Sequence, residues 1–347
     1  MFFIRAAEEA DLPAVAAAAQ HLDSVNLPND PQRLAQMIEL SVRSFAGKVP
    51  AAKRELLFVL VERQSGQEDG QDRVVGSSMI FAQHGSRQAP HVFFDVLEEE
   101  RYSESLDRHF RHTVLRIGYN YRGLTEVGGL VVLPGYRGHK EQLGKLLAYV
   151  RFLYVALHRD VFCEEVVSEL MPPLERDGRS LLWEALGRHF TGLSYQEADR
   201  LSRENKEFIR TLFPQDPIYA SLLPQSAQAL IGQVGPTSKP VERLLRRIGF
   251  QYAQRIDPFD GGPHFHARTE EISLVKATRR LTVGQGGSAA VDALVAAESP
   301  GPPFFRAVRA SVRVGDDSVA LPPAAAALLG VTEGQEVGLA AVPAEGS

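Results

Sequence analysis

The run from Glu126 to Gly138, Glu-Val-Gly-Gly-Leu-Val-Val-Leu-Pro-Gly-Tyr-Arg-Gly, constrains this chain more than any other stretch. Its apolar block predicts a buried strand, Pro134-Gly135 a turn, and Lys140 to His158 a long amphipathic helix with Leu143, Leu146, Leu147, Val150, Leu153 and Tyr154 on one side. A strand that feeds a helix through a tight turn presents free backbone N–H groups and the positive end of the helix dipole. That combination suits a phosphate-type anion, and Arg137, Arg111 and Lys145 are cations that would strengthen it if they point inward.

The flanking segments have a matching α/β rhythm. Phe2 to Ile4 predicts a short strand, and Asp11-Leu12-Pro13 opens a buried helix to Gln20. A second helix is expected from Asp30 to Phe45. Leu56–Val61 and Val74–Gln83, on either side of the polar loop 64–72, predict a hairpin. Further strands are expected at Val92–Val96, Phe110–Ile117 and Val166–Leu170, followed by short helices between about 171 and 239. Pro240 to Ile248 predicts an amphipathic helix capped by Gly249, with a strand after it to Ile256. Gly284 to Pro303 is rich in Gly, Ala, Ser and Pro and reads as a linker to a β-rich tail.

With 38 basic and 43 acidic side chains, binding to nucleic acid through phosphate neutralisation is disfavoured. A single cysteine, Cys163, excludes an intramolecular disulfide and fits a reducing compartment, so a cytoplasmic location is expected. No basic start with a long apolar stretch marks a signal peptide, and the greasiest run, Leu143 to Leu157, is interrupted by Lys145 and Arg151, so no membrane partner is expected.

Leu130 to Gly138 resembles the acetyl-CoA-binding motif of the acyl-CoA N-acyltransferase superfamily with the GNAT fold, and Val241 to Phe250 is similar to that superfamily's later helix ending in Gly-Phe. A narrower resemblance follows from Ser180–Gly187, Glu197-Ala-Asp199, Phe208-Ile209, Pro217–Tyr219, Ala227-Gln228, Ile231–Val234 and Asp257–Pro263. In that order they are similar to the arginine N-succinyltransferase family over about residues 1 to 275.

The resemblance implies an α/β (α+β) fold: an acyl-CoA N-acyltransferase-like mixed sheet flanked by helices at 1–283, with a helical insertion at about 171–239. A linker at 284–303 and a small β-rich C-terminal module at 304–347 would complete the chain. The implied activity is transfer of a succinyl group from succinyl-CoA to the α-amino group of arginine, without a covalent intermediate and without a metal. Alternative readings are an N-acyltransferase for ornithine or another amine, and a non-catalytic acyl-CoA-binding subunit. The implied assembly is a homo-oligomer or a hetero-oligomer with a paralogue.

The same resemblance makes Leu130 the acyl-CoA contact and points to Val131, Val132, Arg137, Gly138, Gly144 and Lys145 as its neighbours in a cofactor site. Glu126, at the start of the cofactor strand, matches a family Glu and is a base for the amine or a solvated strand-end carboxylate. Glu169 holds a cationic substrate group or pairs with an Arg, and Asp257 and Asp260 recognise the acceptor or close a turn. His264 and His266 alternate along one strand and offer a proton relay; a metal lacks a third ligand nearby in sequence. Three departures stand out. Gly235 occupies the family's proton-donor His position, Leu245 the superfamily's Tyr acid position, and the loop from Arg137 to Gly144 is longer than usual.

Overall fold

The computed structural model describes residues 1–21, 27–63, 72–87, 89–202 and 205–343, so the predicted polar loop at 64–72 lies outside them except for Asp72. The chain divides into two compact units. The first comprises Met1–Gln83, Thr125–Glu164 and Arg268–Ser347, and the second His84–Leu124 and Glu165–Ala267.

In the first unit the strands lie in the order Ala290–Glu298, Glu336–Ala341, Arg279–Val283, Ser318–Ala320, Phe305–Val314, Phe2–Ala6, Glu55–Glu62, Arg73–His84 and Leu124–Val132. The helices Leu12–Ala19 and Pro31–Phe45 form where Pro stands in the first turn. The second is capped by the Asp30 carboxylate, which accepts from the N–H groups of Gln32 and Arg33. Leu34 and Ile38 of that helix bury one face against Leu57 and Val59 in the unit's core.

Two expectations are corrected here. The helix expected to be amphipathic, observed at Leu143–Leu157, is buried at Leu143 and at every residue from Lys145 to Val155, so its apolar stripe understates its burial. The expected linker contains the strand Ala290–Glu298, which pairs with Phe305–Val314 over its whole length and with Glu336–Ala341 on its other edge. With Arg279–Val283 and Ser318–Ala320 these strands close a five-stranded barrel. Small side chains explain the linker reading: Ala293 and Ala297 suggest a linker by composition, yet on the strand they fill the narrow barrel interior with Val295. The tail also joins the N-terminal strand, because Ile4 pairs with Ala307 and Arg5 with Arg306.

In the second unit the strand order is Glu165–Glu169, Pro263–Arg268, Gln251–Ile256, His91–Ser103, Arg108–Asn120 and Ile218–Tyr219. The expected short helices fill the insertion, and Trp183 from one of them is fully buried and stacked on Phe259 at 5.0 Å. Val92, Phe94, Leu115 and Ile117 from the long hairpin complete this core.

Two features of the first unit generate predictions. At Gly76 the backbones run so close that an added Cβ would stand 2.6 Å from the Val131 carbonyl oxygen. Gly76→Ala is expected to lose about 2 kcal/mol in urea unfolding, the usual cost of overpacking against backbone that has nowhere to move. Separately, the Glu55 carboxyl is pushed up to about 7, first by burial and then by the charge of Glu126. The folded state therefore holds a proton that the unfolded state releases. Stability contributed by this group is full below its ordinary value near 4.5, and falls as pH rises towards 7. Urea midpoints measured from pH 4.5 to 7.5 should show this decline in the wild type and a flatter profile in Glu55→Gln.

Candidate active site

The strand Leu124–Val132 is kinked at Gly129, whose φ of 57° lies in the left-handed region, and the Ser77 hydroxyl donates to its carbonyl at 3.3 Å. A glycine with positive φ inside a strand interrupts the regular alternation, so the backbone of Leu130 leaves the ladder's normal pattern. Val131 and Val132 are buried beyond the kink. The chain then makes a single 3-10 turn at Pro134–Tyr136, and the Arg137 Nε donates back to the Val132 carbonyl at 2.9 Å.

Gly138 has φ 71°, and an added Cβ at Gly135 or Gly138 would meet nothing within 4 Å, so the loop's surface is open there. Gln142, at φ 55°, precedes the helix, and its carbonyl accepts from the N–H groups of Lys145 and Leu146. The N–H groups of Leu143 and Gly144 come before this ladder, as the first ones of a helix do. Lys145 is placed differently from the expectation of a loop cation: its buried ammonium donates to the Pro343 carbonyl at 3.1 Å and lies 5.8 Å from the Tyr149 ring centre. Arg111 is an exposed hairpin residue that donates to Glu100.

Glu126 is only 2 % exposed, so the alternative of a solvated strand-end carboxylate does not hold. Its charge helps to raise Glu55, which places two carboxyl groups together in the first unit. Cys163 is half-buried. Burial pushes its thiol up, and its Sγ lies 3.5 Å from the Ala82 carbonyl.

The second unit gathers the remaining candidates around Glu169 at the end of its strand. The Nε2 of His91 is 2.8 Å from the Glu169 Oε1, and the Nε2 of His264 is 3.6 Å from the same oxygen. The His91 and His264 rings stack at 5.1 Å, and the His84 ring stands edge-on to His91 at 4.8 Å. Burial alone would raise the Glu169 carboxyl, but the charge of His264 and the hydrogen bond from His91 overcome it and hold the group well below its usual range. An ionised carboxylate only accepts, so the His91 Nε2 carries the hydrogen of this bond. Burial pushes the imidazole of His91 down towards its neutral form, which leaves the lone pair on Nδ1 buried and without a hydrogen-bond partner among the described residues.

Asp257 and Asp260 close the neighbouring turn. The Asp257 Oδ1 accepts from the N–H groups of Phe259 and Asp260, and the Asp260 Oδ1 accepts from Gly262 at 2.7 Å. Burial first and Glu169's charge second push Asp257 up to about 7; Asp260 is raised well above its usual value by burial and then by Asp257. The turn role is therefore observed for both residues, and Asp257 also reaches the cluster. Glu169, Asp257 and His264 place one ligand atom each within 4.8 Å of one another, as do His84, His91 and Glu169. Neither group completes the His264 and His266 pair that the sequence suggested; Glu169 joins His264 to Asp257 instead. His266, half-buried on the strand whose pairing shifts between Pro263 and Phe265, belongs to neither group.

Gly235 faces the same strand end. Its N–H donates to the Met171 carbonyl at 2.9 Å, and an added Cβ would stand 2.5 Å from the Pro172 carbonyl oxygen. Leu245 is a core residue at 2 % exposure. Glu126 belongs to the first unit, and Glu169, Asp257, Asp260 and His264 come together within the second. His84 and His91 were missed from sequence because no local spacing links them to Glu169, 78 residues beyond His91.

The chain resembles known proteins along almost its whole length. The family model for the arginine N-succinyltransferase beta subunit matches residues 2–274, and the model for that subunit's C-terminal domain matches 277–341. Arginine N-succinyltransferase of Yersinia pestis is 31% identical over 97% of both chains. The arginine N-succinyltransferase subunit beta of Pseudomonas aeruginosa is 32% identical over 82% of this chain and 81% of its own. The solved arginine/ornithine succinyltransferase subunit AI of Pseudomonas aeruginosa superposes with a TM-score of 0.81 at 33% identity, covering 99% of each chain. Sequence and fold agree from the N-terminal strand through the barrel: this chain belongs to the arginine N-succinyltransferase beta subunit family.

Proposed function

We propose that this chain transfers the succinyl group of succinyl-CoA to the α-amino group of arginine. The observation that carries the reading is the kinked strand with its open glycine loop and following helix, set in a chain that matches the family end to end. Ornithine is the second acceptor, because the solved relative is named for both amino acids.

In this reading the CoA pyrophosphate lies on the loop from Pro134 to Gly144, where backbone N–H groups and the helix dipole complement its charge. Arg137 adds its guanidinium at the strand end, and the backbone around Leu130 polarises the thioester carbonyl. The amine attacks that carbon; the new C–N bond replaces the C–S bond, the amine proton passes to Glu126, and CoA leaves as the thiolate. A thiol with an ordinary pKa of ~8.5 leaves without a strong acid, so a chain with Gly235 and Leu245 at the two familiar donor positions can still turn over. The raised thiol of Cys163 has no part in the transfer.

Within the second unit, Glu169 is suited to hold a cationic group in a charge-assisted contact, with His91 and His264 keeping it ionised and oriented. Among the described residues no helix is long and apolar enough to cross a membrane, and we place the reaction in the cytoplasm, in a homo-oligomer or with a second, paralogous subunit.

Thiol release from succinyl-CoA and acetyl-CoA, measured against a panel of amines and no-acceptor controls, tests the activity. Release specific to succinyl-CoA with arginine or ornithine is expected; CoA binding with no release for any pair would assign the chain to the non-catalytic alternative. Glu126→Gln is expected to lower kcat by about 100-fold or more while CoA affinity, read by calorimetry, is kept. Gly235→His is not expected to restore a donor. Its side chain must displace the Met171–Pro172 backbone, and a loss of about 2 kcal/mol in urea unfolding should accompany unchanged or lower turnover.

A further inference from the structure

Arg151 lies in the helix Leu143–Leu157, is 1 % exposed, and ranks among the largest fully buried side chains of the protein. Its Nε donates to the Ala148 carbonyl of its own helix at 3.0 Å, and one Nη reaches the Gly128 carbonyl at 3.4 Å. A guanidinium has five N–H donors in a planar fork shaped for a carboxylate, and removing its charge from water costs several kcal/mol unless an anion compensates. Among the described residues no carboxylate pairs with it, and burial pushes it down to about 9 with no acidic neighbour to oppose the shift. The two carbonyls occupy two of its five N–H donors, so the fork can still receive an anion from outside the chain.

Position narrows what that anion is. Arg151 stands eight residues beyond Leu143, about 12 Å along the helix axis from the loop proposed for the pyrophosphate, too far along to serve it. Its contact is instead with Gly128, next to the kink at Gly129 and two residues before Leu130, where the thioester is proposed to lie. We propose that the Arg151 guanidinium recognises the terminal carboxylate of the donor's acyl chain, and so selects a dicarboxylic acyl-CoA over a neutral one. This inference rests on the acyltransferase reading given above and names the residue behind its donor specificity.

Succinyl-CoA and butyryl-CoA, which share a four-carbon chain and differ in the carboxylate, separate the possibilities with arginine as the fixed acceptor. The wild type is expected to favour succinyl-CoA by at least 100-fold in kcat/KM. Arg151→Gln, which keeps a donor for the Gly128 carbonyl, should lose most of that preference through succinyl-CoA alone, with Arg151→Met behaving alike and Arg151→Lys recovering part of it. An equal fall with both donors, or a preference kept without the charge, would overturn the assignment.

Equilibrium binding of the two thioesters without acceptor supplies a readout that does not need turnover. At least tenfold tighter succinyl-CoA binding by the wild type, lost in Arg151→Gln, supports the role even if no amine is acylated, in which case only the acyltransferase reading fails. Equal affinities in the wild type would overturn it.

Discussion

Where the strand Leu124–Val132 presses against Arg73–His84, a glycine at 76 lets two backbones approach closely enough to exclude even a methyl group. That contact fixes the height of the strand just where Val131 and Val132 lead into the open loop, and the Val75 carbonyl takes the Leu133 N–H at 2.9 Å to continue the register to the strand's end. The helix that follows is buried on nearly all sides, so its first turn is held by packing rather than by a cap of its own. The positions of the loop amides thus follow from sheet and helix packing, the condition under which a backbone anion site is preorganised.

Buried charge is the second theme, and the two units treat it differently. In the second unit Glu169 is compensated locally: His91 donates to it, His264 lies beside it, and the stacked rings keep both imidazoles in place. In the first unit the carboxyl groups of Glu55 and Glu126 oppose one another, while Arg151 is buried with carbonyls but no acid among the described residues. A guanidinium buried in this way reduces stability and is typical of a site whose complement arrives with a ligand.

The departures from the family pattern have a structural basis. Gly235 is held against Met171 and Pro172 so closely that a side chain has no room there. The imidazoles near this strand end come instead from His91 and His264, on two other strands.

Much of this was legible in the sequence, for local reasons. Apolar runs, the Pro-Gly turn and the Asp30 cap are short-range signals, and each appears in the structure as strand, turn or helix start. The family motifs are likewise contiguous. What sequence could not show depends on side chains that meet across strands. The segment rich in alanine and glycine at 284–303 is a linker by composition, and only the barrel's narrow interior explains its strand. Two histidines at alternate positions suggested a shared role, but the cluster takes His264 with His91 and leaves His266 out. Lys145 and Arg151 interrupt an apolar run, yet both are buried, because the helix carrying them is enclosed on nearly all sides. The sequence by itself determined the order of strands and helices, the Pro-Gly turn between strand and helix, and the family, since these are encoded in neighbouring residues. Which charges are buried and which of them are paired was decided by the tertiary structure, because burial and pairing depend on distances that neighbouring residues do not encode.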